Sequence, residues 1–170
     1  IATSTGPRVE RVWLDGGKSV AASWPIDGEL LYVGLDPRGG LLAEINHKRS
    51  SAELIAALGS DHPYTVMLAL DALQTKEGKP TDHERVAVAA ILGSVEQAGE
   101  WRMKTAQILG AWRDDASVAI LLEELDAAHR RARAGDEGTD PRVRGEIVKA
   151  LGHGVPRPEV IAALKGGLAN

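Results

Sequence analysis

Apolar residues recur with two different periods along the chain. From Val9 to Asn46 the apolar runs are short and are separated by "LDGGK", "WPIDGE" and "LDPRGG", clusters of Asp, Pro and Gly that punctuate hairpins. Four strands are expected, near Val9–Leu14, Ser19–Trp24, Leu30–Leu35 and Leu41–Asn46. In "KSVAASW", Val20, Ala22 and Trp24 alternate with Ser19, Ala21 and Ser23, the period of a strand with one buried face. "ELLYVGL" is apolar on both faces and needs cover on both. Asp36, Pro37 and Gly39 of "DPRG" occupy the positions that a type I turn favours.

Beyond "NHKR" the period becomes helical. Ser50 and Glu53 stand at capping-box spacing ahead of Leu54, Ile55 and Leu58, and Gly59 ends the run. A second helix is expected over Pro63–Gln74, with Val66, Met67, Leu70 and Leu73 inward, and Thr81 with Glu84 repeats the capping box before "RVAVAAILG". Trp101, Thr105, Ile108 and Trp112 form one stripe. Val118, Leu121, Leu122 and Leu125 form the next, after Asp115. Asp140 and Pro141 open a helix carrying Val143, Ile147 and Leu151, and Pro158 opens a last one through Leu168. The pattern therefore predicts about seven helices in series.

Leu-Gly recurs at the expected helix ends in "AALGSD", "AILGSV", "QILGAW" and "KALGHG", at irregular separations. Such helix pairs, with Asp140, Pro141, Val143, Arg144 and Leu151 in "DPRVRGEIVKAL", resemble HEAT-type repeats, where each pair covers the apolar face of its neighbour. The fold class expected is mainly α: HEAT-like antiparallel helix repeats, an α-solenoid, preceded by a small antiparallel β segment. Residues 1–48 are assigned to the β part, as a portion of a β-sandwich, and residues 49–170 to the helical repeats. The last helix reads as half a repeat.

Composition narrows the function. With 44% hydrophobic and 26% charged residues, the chain is globular rather than disordered. Phe is absent and aromatics are 4%, so the expected core is Leu, Val, Ile and Ala with the four Trp as its bulky members. A formal charge of −4 disfavours a phosphate backbone as partner, so no nucleic acid is expected. Without Cys there is no disulfide and no thiolate chemistry. No apolar run is long enough to span a membrane, and none is expected as a partner. The chain begins at Ile1 without a Met and reads as the middle of something longer, from the bacterial cytoplasm or periplasm.

"HERVA" approaches the zinc-binding helix His-Glu-x-x-His, which needs two imidazoles one turn apart. His83 and Glu84 are present, but Ala87 stands at the second ligand position. One His does not hold zinc, and Glu84 is accounted for as the capping partner of Thr81. Di-iron hydroxylases built from HEAT repeats need several His-Glu pairs, and this is the only one. His47, His62, His129 and His153 are scattered. His129, Arg130, Arg131 and Arg133 lie toward a helix C-terminus, where cations complement the dipole, and Arg142 and Arg144 are placed to extend the patch. Interspersed Asp136, Glu137 and Asp140 favour a solvated charged face over a binding surface. Gly16-Gly17, Gly39-Gly40 and Gly166-Gly167 make no phosphate loop, and no Gly-x-Ser-x-Gly elbow occurs. Trp101 and Trp112 share a helix face, read as packing between repeats rather than as a base-stacking platform.

"YVGLDPRGGLLAEINHKRS" running into "AELIAALGSDHPYTVMLALDAL" resembles the region after the catalytic domain in zinc aminopeptidases of the aminopeptidase N family. The matching residues are Trp24-Pro25, Val33, Asp36-Pro37, Leu42, Ile45 and Lys48. The resemblance implies the end of a β-sandwich followed by helical repeats, buttressing a catalytic domain and shaping its substrate cavity. The family's zinc helix, its downstream Glu ligand and its exopeptidase motif are not in this sequence. The expectation is therefore no catalytic residue, no cofactor and no metal ligand here, with zinc held elsewhere in a parent enzyme and that enzyme's own catalytic domain as partner. The alternative is a free-standing HEAT adaptor that binds a protein partner; a HEAT-fold nucleic-acid binder is the weakest reading.

Overall fold

The computed structural model describes residues 1–13, 20–40, 47–135, 140–153 and 157–168. Seven helices and three short strands form among them, and Ile1–Ala69 and Leu70–Asn170 make two compact units.

In the first unit, β1 (Ala2–Thr3) lies between β2 (Gly6–Pro7) and β3 (Leu30–Tyr32), all antiparallel. Ser4 and Thr5 form the two-residue link from β1 to β2, and short side chains tie it down. The Ser4 amide donates to the Glu29 carbonyl (2.9 Å), the Glu29 amide to Ser4 Oγ (2.9 Å), and Thr5 Oγ1 to the Asp27 carbonyl (2.9 Å). Register shifts by one residue between β1 and β3, a bulge at the sheet edge. Helix α1 (Ser51–Leu58) packs on β3.

This sheet differs from the expected one. Val9–Trp13 and Val20–Trp24 are described but make no strand, Leu30–Leu35 shortens to Leu30–Tyr32, and the expected strand Leu41–Asn46 lies outside the described residues. Alternation marks a segment able to bury one face, but a strand exists only where a second backbone supplies the ladder. Here Ala2–Pro7, which has no alternation to read, supplies it.

The expected turn does form: the Gly39 amide donates to the Asp36 carbonyl at 2.9 Å. Gly39 has φ +63°, and a Cβ there would sit 3.1 Å from the Tyr64 ring, so conformation and close approach both select glycine.

The helices begin where the sequence places them. Ser50 and Glu53 close a capping box on α1, the Glu53 amide donating to Ser50 Oγ (3.3 Å) and the Ser50 amide to the Glu53 carboxylate (2.8 Å). Helix α2 spans Pro63–Thr75. Thr81 and Glu84 repeat the box on α3 (Asp82–Gly93). Asp114 caps α5 (Asp115–Arg133) through the Ser117 amide, and Asp140 caps α6 (Pro141–Gly152) through the Arg142 amide. Helix α4 (Gly99–Trp112) has no side-chain cap at Ala98, and α7 spans Pro158–Leu168. Each cap contributes about 0.5–2 kcal/mol, so these starts are set by local chemistry.

In the second unit α3 packs on α4 and α5, α4 on α5 and α6, and α5 on α6 and α7. Leu92, Ile108, Leu109, Leu121, Leu125 and Ile147 are buried among them, each burial contributing about 1.5–3 kcal/mol. The four Trp are not core members: Trp24, Trp101 and Trp112 are half-buried and Trp13 is exposed. A close-packed aliphatic interior leaves the indoles at its margin.

The Leu-Gly echo has two meanings. Gly59 is the C-cap of α1, and Gly93 and Gly152 are the last residues of α3 and α6. Gly110 instead lies inside α4, which runs on to Trp112, and a Cβ on it would come within 2.8 Å of Ala150 Cβ and 3.1 Å of Ala150 Cα. The glycine lets α4 and α6 touch backbone to backbone.

One buried cation joins the inner faces. Arg102, only 3% exposed, donates from Nε to the Leu92 carbonyl (2.8 Å) and faces Glu124 at 3.6 Å. Burial pulls the Arg102 pKa down, and Glu124 opposes that. Glu124 is shared with Arg131, and the Arg102 guanidinium links α4 to α3 through the Leu92 carbonyl and to α5 through Glu124.

Candidate functional site

The zinc-like "HERVA" stretch sits at the start of α3. His83 is exposed, whereas Glu84 is fully buried, accepting from the Thr81 amide (2.8 Å) and pairing with Lys76 (2.6 Å). Glu84 is thus occupied as a cap and an ion-pair partner rather than presented to a metal. Among the described residues no three His, Cys, Asp or Glu side chains group as a metal set, and no helix is long and apolar enough to cross a membrane. His47 accepts from Arg49 Nε at 3.2 Å, and His62 is exposed.

The basic run divides into two sets. Arg130 pairs with Asp126, Arg131 with Glu124, and Arg142 with Asp140 (2.9 Å), so these three are neutralised locally. His129, Arg133 and Arg144 have no ion pair among the described residues and line one cleft of 710 Å³. His129 and Arg133 are one helical turn apart on α5; Arg144 reaches the same space from α6. Burial, with the Arg144 and Arg133 guanidiniums nearby, holds the His129 imidazole below its ordinary range. His129 therefore senses both guanidiniums as like charges.

The rest of the cleft wall is apolar: Leu125 and Ala132 from α5, Val148 from α6, and Ala163 and Leu164 from α7. Gly145 gives it a floor without a side chain, and a Cβ added there would meet nothing within 4 Å. The volume lies within the range of about 300–1,000 Å³ typical of ligand sites. The i, i+4 pairs His129/Arg133 and Arg144/Val148 are visible in the sequence; that the two pairs face each other is not. A smaller cleft of 230 Å³ is lined by Gly110, Arg113, His153, Arg157 and Val160, with Arg157 paired to Asp115 at 2.7 Å.

No family model matches the chain, and no curated protein or solved structure matches it.

Proposed function

We propose that this chain is a non-catalytic scaffold: a HEAT-like helical stack whose small β segment docks on a neighbouring domain, as the post-catalytic region of aminopeptidase N-family zinc enzymes does. One observation carries the reading. The β unit leaves Val9 (72% exposed), Trp13 (86%), Leu30, Leu31 and Leu35 open to water, apolar surface that a neighbouring domain would cover. The order of helix packing supports a repeat stack, since α3, α4 and α5 each meet the next helix and the next but one. Its role is to buttress a catalytic domain and help shape its substrate cavity.

Sedimentation velocity and an aminoacyl-arylamide assay test this together. The chain should self-associate through the apolar β surface, Trp13→Ser with Leu31→Ser should abolish that association, and no substrate should turn over with or without zinc. Zinc-dependent turnover that survives repurification would sink the scaffold reading. A monomer at every concentration would favour the second reading, a free-standing HEAT adaptor for a protein partner, which the cleft between α5, α6 and α7 supports.

A further inference from the structure

The cleft formed by α5, α6 and α7 combines three features. It is large enough for two or three side chains, its wall is aliphatic, and its cations have no acidic partner there. The bland account of Arg133 is that it complements the C-terminal dipole of α5. That account does not reach Arg144, which is half-buried in the first turn of α6, the end where a cation is disfavoured. Arg142, its neighbour in that turn, is compensated by Asp140; Arg144 faces His129 and Arg133 instead.

Two guanidiniums facing one cleft with no acidic partner among the described residues raise the electrostatic cost of leaving it empty, and a bound anion relieves it. Guanidinium forks match carboxylates in geometry as well as charge. Val148 and Leu164 beside them would accept aliphatic side chains. We propose that this cleft binds an acidic peptide segment of a partner protein, its carboxylates on Arg133 and Arg144 and its aliphatic residues against Val148 and Leu164. The site lies wholly on α5–α7, so it stands or falls independently of the β surface and of any aminopeptidase parent.

The test is a titration of the 15N-labelled chain with a peptide of alternating Glu and Leu, its Gln-Leu counterpart, decanoate and a DNA duplex. The expected result is saturable shifts at the amides of His129, Arg133 and Gly145 with the Glu-Leu peptide alone, weakened by added salt. Arg133→Ala with Arg144→Ala should cut affinity at least about tenfold, the loss expected of charge-assisted hydrogen bonds. Gly145→Leu, which fills the cleft from a position with open space around it, should do the same while leaving the far-ultraviolet spectrum intact. Equal binding of the Gln-Leu peptide, or no Glu-Leu shifts at these amides, overturns the proposal. Saturation by decanoate without the peptide would make the cleft a site for a small amphiphilic anion, and saturation by DNA a nucleic-acid surface; both overturn it too.

Discussion

The two compact units solve the same problem with different means. From Leu70 onward, aliphatic side chains of five successive helices are packed away and backbone polar groups pair within each helix. Up to Ala69 the strands are two or three residues long, and Ser4, Thr3 and Thr5 supply much of the hydrogen bonding that holds the turns. Leu30 and Leu31 stay open to water in β3 itself. A helix completes its backbone pairing from its own residues and needs neighbours only for its apolar stripe, whereas a strand needs neighbours for both. A strand with few neighbours therefore keeps apolar side chains open to water.

The largest effect that would sharpen this contrast is expected at Gly110. Alanine is the better helix former by about 1 kcal/mol, so an uncrowded site would gain stability. Here the new methyl meets the Ala150 backbone, and Gly110→Ala should lose about 1–3 kcal/mol in urea denaturation followed by helical circular dichroism. A gain would show that α4 and α6 do not touch as described.

A smaller effect is expected at Asp114. Burial opposes its charge, but hydrogen bonds from the Ser117 amide (2.9 Å) and hydroxyl (3.1 Å) and from Arg85 (3.1 Å) outweigh burial and hold the carboxyl below the usual carboxylate range. A carboxylate whose folded pKa is depressed stabilises the fold above its unfolded value of about 3.9, and that contribution disappears as pH falls through the folded value. Asp114→Ala should cost about 1 kcal/mol at neutral pH, and the gap from the parent should close on acidification. A gap independent of pH would mean that the carboxylate is not the stabilising group.

The smallest effect belongs to the other unit. Trp13→Ser should change stability by less than about 0.5 kcal/mol in the same denaturation, although it removes the largest side-chain type in the chain. A loss of several kcal/mol would place Trp13 in a core and undo the comparison.

Legibility followed the same division. The helix starts at Ser50, Thr81, Asp140 and Pro158 were readable because caps and period act over a single turn. The start of α5 fell one residue earlier than read, with Asp114 rather than Asp115 as its cap. The strands were readable only as candidates, and the pairing went to Ala2–Thr3 and Gly6–Pro7, segments too short to carry a period. In the cleft, the basic run was visible and was read as a solvated face. That description fits the locally paired Arg130 and Arg142 and the exposed Arg133; that Arg133 lines one cleft with the half-buried His129 and Arg144 depends on how α5 and α6 cross.

By itself, then, the sequence determined seven helices, most of their first residues and the aliphatic character of their core, because propensity, capping and periodicity are local. Only the tertiary structure decided which backbone segments pair as strands, and why one Leu-Gly sits inside a helix while the others end one. It also decided that Arg133 and Arg144, rather than the locally paired arginines, share an apolar cleft with His129. Each of those outcomes depends on what a residue meets from another element, a contact that no stretch of sequence contains.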